Sequence, residues 1–305
     1  MAYVSGTAAN ISALTAAIIS ACTSNGWTAT AADVVSKGGA FIKLTADTVN
    51  DRVTCRAGLG YSGGALTDPC PIDVYVDHPL FNEAWSYPLN YEVHLHGNEV
   101  YLVVNWGVDK YTFLGFGTSP VTGIPGTGVW IAGSLSPASN TTTLSWTSNG
   151  VINAARFPAS SVNVASTGLF IAIGNTSASF TGAACFVHHG IAGWSDTNVF
   201  RPVTADGCRQ LTLLDNPSVN PTGQTVLVPI QPFVPRGSNK MSMVADLLYA
   251  RYVRLDTLNP GDIVTFGGDS WKVYPVYKRD GTTRSPSTGV THSGTHGYAI
   301  RYDGP

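Results

Sequence analysis

The sequence predicts a mainly β protein, a hairpin-rich β-sandwich or barrel-like fold with one short N-terminal helix. Three observations support this prediction. Straight-chain helix formers are scarce, with only 3 Glu and 6 Lys against 32 Thr and 26 Ser. Charged residues make up 12% of the 305 residues, about half the usual share. Hydrophobic residues reach 44%, which is enough for a large core and excludes a disordered chain.

One strong helical pattern lies near the N-terminus. Asn10 can cap a helix, and Asn25-Gly26 can close it after about fourteen residues. The apolar positions between them have helical spacing; they are Ile11, Leu14, Ile18, Ile19 and Cys22. This apolar stretch, 11–22, is too short and too often interrupted by hydroxyl residues to span a membrane.

After this helix the apolar period changes to two, as in strands. Residues 41–45 follow a Lys-Gly-Gly turn, and residues 52–59 alternate as a strand. The clearest hairpin joins 91–96 to 99–106 through the turn Gly97-Asn98, with 111–116 as a third strand. We therefore expect residues 1–120 to form an N-terminal β-rich part.

A second part, 121–230, is rich in Ser, Thr, Gly and Asn. Its apolar islands, 169–173 and 185–188, are short, which predicts short strands between long surface loops. We expect 126–221 to face outward, toward a partner or a host surface. The prolines in 226–234 predict an edge strand or an extended linker there.

The C-terminal part, 231–305, is predicted to pack with the N-terminal part. Residues 243–249 could form a short helix, and 251–258 are predicted as a strand. A Pro-Gly turn at 259–262 opens a hairpin of 263–266 with 271–277, and 298–302 supplies the last strand.

Charge and cysteine content restrict the function classes. A net charge of -2 and a pI near 6.4 leave no basic footprint for nucleic acid. The first six residues carry no basic side chain, so they do not resemble a secretory signal, and we expect synthesis in a cytosol. The five cysteines lack a CxxC motif and are expected to be reduced, although a Cys55–Cys70 bridge remains an alternative.

Residues 58–64 match two catalytic motifs at once. GxGxxG needs a following helix to bind a dinucleotide, and GxSxG around Ser62 needs the same helix to form a nucleophile elbow. The continuation Ala-Leu-Thr-Asp-Pro-Cys-Pro cannot form that helix. We therefore predict a glycine-rich turn, with no cofactor bound and a Ser62 hydrolase as the weakest alternative.

Metal and glycosidase chemistry are also disfavoured. His94 and His96 share one face of a predicted strand but have no further ligands nearby in the sequence. His188 and His189 point to opposite faces of a strand, so they cannot bind one metal ion together. His292 and His296 lie in a loop, where no helix is expected to bring them to one face. The glutamates Glu83, Glu92 and Glu99 have no marked partners for paired carboxylate catalysis. The sequence predicts no metal site and no enzyme.

Several stretches resemble virion proteins of tailed bacteriophages. They are MAYVSGTA at 1–8, NGWT at 25–28, the run 91–116 with LHGNEVYLVV at 95–104 leading to YTFLGFG at 111–117, VADL at 244–247, RYVR at 251–254, NPGD at 259–262, WKVYP at 271–275 and GYAIRYDG at 297–304. The resemblance covers the first ~120 and last ~80 residues. It implies a structural subunit of the particle, associated with the tail or baseplate, and it carries over no catalytic residues.

The expected partners are other virion proteins and further copies of the chain, in a particle assembled after synthesis in the bacterial cytoplasm. Low charge suits a subunit that buries large interfaces, because few charges then lose their hydration. Five aromatic residues are predicted as interface anchors: Trp271, Tyr274, Tyr277, Tyr298 and Tyr302. The alternatives are a host-surface or carbohydrate-binding module and a head decoration protein.

Overall fold

Antiparallel sheets make up more than half of the described structure, and one helix packs against them. The computed structural model describes residues 1–77, 84–119, 121, 127–133, 169, 185–191, 193–196, 225–236, 240–282 and 292–305. The helix, α1, is Ile11–Ser24. The first strands are β1 (Ala2–Ala8), β2 (Thr28–Ala31), β3 (Val34–Lys37), β4 (Ala40–Asp47), β5 (Arg52–Gly58), β6 (Gly60–Ser62), β7 (Ala65–Thr67), β8 (Val74–Val76), β9 (Leu89–His96), β10 (Glu99–Gly107) and β11 (Lys110–Thr118). The others are β12 (Val129–Ala132), β13 (Cys185–His189), β14 (Gly193–Asp196), β15 (Val228–Ile230), β16 (Phe233–Arg236), β17 (Lys240–Met243), β18 (Leu247–Arg254), β19 (Ile263–Phe266), β20 (Asp269–Pro275) and β21 (His296–Arg301).

Three sheets carry the architecture. The large sheet has the order β1-β9-β10-β11-β12-β13-β14, the amino-terminal sheet β2-β3-β4-β5-β8, and the carboxyl-terminal sheet β15-β18-β21-β20-β19. The pairs β6-β7 and β16-β17 form two small ribbons. Each sheet ends in edge strands, so the described strands form open sheets and no closed barrel. The mainly β prediction is confirmed.

The predicted helix is present with its cap. The Asn10 side chain accepts a hydrogen bond from the Ala13 N–H at 2.8 Å, and the Asn25 N–H bonds to the Cys22 carbonyl at 3.0 Å. Ile11, Leu14, Ile18 and Cys22 are buried against the sheets, as their spacing predicts.

The large sheet is covered on both faces. Successive side chains of a strand point to opposite faces. On β11, Phe113 contacts Tyr298 of the carboxyl-terminal sheet with ring centroids 4.8 Å apart, whereas Phe116 contacts Trp27, beyond the end of α1, at 5.3 Å. Double coverage explains why residues 100–104 of β10 are all buried. The predicted hairpin pairs His96 with Glu99 across Gly97-Asn98, as expected.

The carboxyl-terminal sheet packs one face on the large sheet and the other on its own loops. Tyr252, Tyr274 and Tyr298 belong to the main hydrophobic cluster, which also contains buried residues of α1 and β9–β11. Val253, Val273 and Ala299 form a smaller cluster on the opposite face. The predicted 263–266 hairpin and the 259–262 turn are present. β15, which contains Pro229, is an edge strand, as the prolines of 226–234 predict.

Two sequence interpretations are wrong. Residues 243–249 are not helical: Met243 ends β17, the Val244 N–H bonds to the Pro232 carbonyl at 2.9 Å, and Leu247 begins β18. The outward-facing assignment of 126–221 is also wrong for β12, β13 and Leu169, whereas Thr127 and Ile191 are exposed. β12 is buried at all four residues and joins β13 inside the large sheet, and Leu169 is buried as well. Residues 170–173 lie outside the described residues.

The cysteines Cys22, Cys55, Cys70 and Cys185 are buried free thiols, so Cys55 and Cys70 are not bridged. Within the described ranges, no helix has the length and apolar character needed to cross a membrane.

Candidate functional site

The five predicted anchors lie mostly inside the chain. Tyr274, Tyr277 and Tyr298 are at most 1% exposed, and Trp271 is 5% exposed. Only Tyr302 is partly exposed. The first four rings therefore stabilise the carboxyl-terminal sheet from within and present almost no surface to a neighbouring subunit.

A polar cluster lies where the large sheet meets the carboxyl-terminal sheet. We call it the seam cluster: Tyr3, Glu92, His94, Lys272 and Tyr274. Glu92 and His94 lie on the face of β9 that is turned toward β20, while Val93 and Leu95 are buried on the other face. Lys272 and Tyr274 are alternate residues of β20, and Tyr3 pairs with His94 in register.

One carboxylate oxygen organises the seam cluster. Glu92 Oε2 accepts hydrogen bonds from Lys272 Nζ at 2.6 Å, Tyr3 Oη at 2.7 Å and Tyr274 Oη at 2.8 Å. The Lys272 ammonium also lies 5.4–5.9 Å from the rings of Tyr3, Tyr274 and Tyr302. Three strands that are distant in sequence therefore converge on one ion pair.

The environment keeps this pair ionised. Burial acts to raise the pKa of Glu92, but the hydrogen bonds from Lys272, Tyr3 and Tyr274 outweigh it and hold the pKa below its ordinary value. Burial acts to lower the pKa of Lys272, and the bond to Glu92 reverses this and raises it. A permanently charged lysine is a poor nucleophile or base, which favours a structural role for the cluster.

The two histidines on this face are uncharged at neutral pH. Burial lowers the pKa of His94 to about 3 and that of His96 to about 4. His94 Nε2 lies 3.0 Å from Tyr274 Oη, and His96 Nε2 lies 2.9 Å from the Arg301 carbonyl. The predicted common face is confirmed. Among the described residues, no three His, Cys, Asp or Glu side chains approach closely enough to hold a metal ion.

A second cluster on the large sheet has the connectivity of a hydrolytic triad. Thr127 Oγ1 lies 3.0 Å from His188 Nδ1, and His188 Nε2 lies 3.5 Å from Asp68 Oδ2. However, the neighbouring amides are already engaged: Val129 N–H bonds to Thr127 Oγ1, and Gly128 N–H bonds to the His188 carbonyl. These two amides are thus not free to stabilise an oxyanion.

A buried His–Ser pair lies beside it. His189 Nε2 is 2.8 Å from Ser195 Oγ, and His189 Nδ1 accepts the Ile191 N–H at 3.2 Å. Because Nδ1 is an acceptor, the ring proton of neutral His189 is on Nε2 and is donated to Ser195. The histidine therefore cannot take a proton from this serine.

The glycine-rich motif and the remaining candidates occupy ordinary structural positions. Ser62 ends β6 and is exposed, and a Gly63-Gly64 turn leads into β7 where a nucleophile elbow would have a helix. The predicted turn is confirmed. His296 opens β21 and approaches Arg254, whereas His292 Nε2 lies 3.3 Å from Asp280. Glu83 lies outside the described residues.

Sequence reasoning missed the partners of Glu92. The only local signal was a glutamate alternating with histidines on a strand whose other face is apolar.

The sequence matches no protein-family model, and no curated protein matches it significantly.

Proposed function

We propose that this chain is a structural subunit of a tailed bacteriophage virion. In this proposal it is part of the tail or baseplate, is present in several symmetric copies, and contacts other virion proteins without catalytic activity. The observation that carries the proposal is where the phage-like stretches lie. Residues 1–8, 91–117 and 244–304 include β1, most of β9, β10, β11 and β18–β21, which belong to the two sheets that the seam cluster joins.

The ionisable groups of the seam are paired or buried, which supports a structural subunit over an enzyme. Glu92 and Lys272 neutralise each other, and His94 and His96 are buried and uncharged. An active site needs a group whose proton or electron pair is available to a substrate. In the seam cluster Glu92, His94 and Lys272 instead make contacts that hold two sheets together, and His96 bonds to the Arg301 carbonyl.

Immuno-electron microscopy tests this proposal. Antibodies raised against the purified chain should label intact particles of the encoding phage at one fixed position, on the tail or baseplate. Labelling on the head would identify the decoration-protein alternative. Particles that carry no label and no peptides of this chain by mass spectrometry would refute the proposal.

A carbohydrate-binding role on the host surface is the second candidate. Trp194 in β14 is partly exposed, its indole N–H bonds to the Asp68 carbonyl at 3.0 Å, and the Asp68 carboxylate is 60% exposed beside it. The ring offers an apolar face and the carboxylate offers hydrogen-bond acceptors, a combination that suits contact with a sugar. A glycan array that shows binding by the native chain and none by Trp194→Ala would favour this role.

A further inference from the structure

The strand β19 lacks the usual protection of an edge strand. Among the described strands it pairs only with β20. Its sequence, Ile-Val-Thr-Phe, has no charged residue and no proline, and Ile263 and Phe266 are 50% and 65% exposed. Natural edges usually carry charges, prolines or bulges, because an open edge can pair with another chain. β15, at the opposite edge of the same sheet, contains Pro229 and so lacks one backbone donor.

The backbone groups of Ile263 and Thr265 face away from β20. The Val273 N–H bonds to the Asp262 carbonyl at 3.0 Å, so position 262 directs its backbone toward β20. In an antiparallel pair such positions alternate, and positions 264 and 266 therefore also face β20. The same alternation places the N–H and C=O groups of Ile263 and Thr265 on the outer edge, where they form a row of donors and acceptors.

This row is complementary to a second copy of itself. When two β19 strands lie antiparallel about a two-fold axis at Val264, Ile263 of each copy faces Thr265 of the other. Each of these two pairs exchanges two hydrogen bonds, so every outward group of both strands is satisfied. An axis at Thr265 would instead set Ile263 against Gly267, which lies in the turn with a φ of +60°.

The side chains agree with the axis at Val264. Residues directly opposite each other share a face of the sheet, so Val264 would meet Val264 of the second copy, and Phe266 would lie diagonal to it. Val264 already packs on the smaller hydrophobic cluster and is paired with Trp271. That cluster would continue across the axis and cover Phe266. No like charges would oppose each other, because Asp262 of one copy faces Phe266 of the other.

We propose that β19 is a self-association edge, at which two copies of this chain join their carboxyl-terminal sheets into one continuous sheet. The proposal rests on the geometry of the edge and not on the proposed function, because the purified chain alone should show the pairing. Four residues from each copy make a small interface, so we expect a weak and reversible dimer. Its effect would grow where several copies are already held in one assembly.

Analytical ultracentrifugation of the purified chain tests this edge. The native chain should form reversible dimers at concentrations up to about 1 mM. Thr265→Pro removes an outward N–H that β20 does not use, so the chain should keep its fold while its dimer dissociation constant rises at least about tenfold. The matched control, Thr265→Val, keeps the N–H and the β-branched shape and should leave the constant within about twofold. A native chain that is monomeric at about 1 mM, or a folded Thr265→Pro chain that dimerises equally well, would overturn the proposal.

Cysteine cross-linking tests the register and gives a decision if Thr265→Pro does not fold. The axis brings the two copies of Val264 to about 4.5 Å between Cα atoms, within disulfide range. Under copper-catalysed air oxidation, Val264→Cys should therefore form disulfide-linked dimers well above the background of the native chain. Phe266→Cys is the control, because this position is more exposed but its two copies would lie about 14 Å apart. Equal cross-linking of the two variants, or none by Val264→Cys, would contradict the proposed pairing.

Discussion

Lys272 shows how one side chain can help to hold two sheets together. Replacing it with Met keeps the aliphatic stem but leaves the Glu92 carboxylate with only two phenol donors in a mostly buried position. We expect Lys272→Met to lower the free energy of unfolding by about 2 kcal/mol, because an unpaired buried charge is costly. Urea unfolding followed by tryptophan fluorescence measures this.

The matched control is Lys43→Met. Lys43 also pairs with a carboxylate, Asp33 at 3.4 Å, but both side chains are about 40% exposed. Its loss should cost between zero and about 1 kcal/mol. In the double variant Lys272→Met/Glu92→Met, part of the lost stability should return, because no buried charge remains. Equal costs for the two lysines would contradict the structural role of the seam cluster.

The residues of the seam cluster explain a limit of sequence reasoning. The common face of His94 and His96 was predictable because it follows from strand alternation alone. The partners of Glu92 were not, because Tyr3 and Lys272 lie 89 and 180 positions away. Only the pairing of β1 with β9 and the packing of β20 bring them together, and no local pattern encodes that packing.

At the scale of elements, α1 gives the most direct test. Asn10→Ala removes the acceptor of the Ala13 N–H and should cost about 1 kcal/mol of stability. Ser20→Ala, on the exposed middle of the same helix, should be neutral or slightly stabilising because Ala has the higher helix propensity. Thermal unfolding followed by circular dichroism compares them. An equal effect of both changes would show that Asn10 does not act as a cap.

Elements with local signals were predicted well, and elements defined by their neighbours were not. The cap and spacing of α1 and the two-residue turn between β9 and β10 are encoded within a few residues. The segment 243–249 has apolar residues at spacings that suit a helix, but Val244 and Leu248 make their backbone bonds to Pro232 and Glu99. β12 lacks alternation because both of its faces are buried, and four consecutive apolar residues do not distinguish a buried strand from a buried helix segment.

At the scale of the molecule, the main hydrophobic cluster runs through three layers. Removing residues 247–305 would uncover Phe113 and Tyr101, which are fully buried in the chain. We expect the remaining residues to lose cooperative unfolding and to bind a hydrophobic dye, because one sheet face would be left without a partner. Adding the missing segment as a separate chain should restore the cooperative transition. A truncated chain that melts cooperatively by itself would show two independent units.

The contacts of Tyr3 also determine when the protein can finish folding during its synthesis. Lys272 follows Tyr3 by 269 residues, so at about 5–20 residues per second a ribosome needs roughly 15–50 seconds to supply it. During that interval β1 can already pair with β9, but the Glu92 carboxylate lacks its ammonium partner and the Phe113 face lacks its cover. A nascent chain in this state exposes apolar surface to every other polypeptide nearby. We therefore expect slow translation near the 3′ end of the message to increase both aggregation and the demand for chaperones.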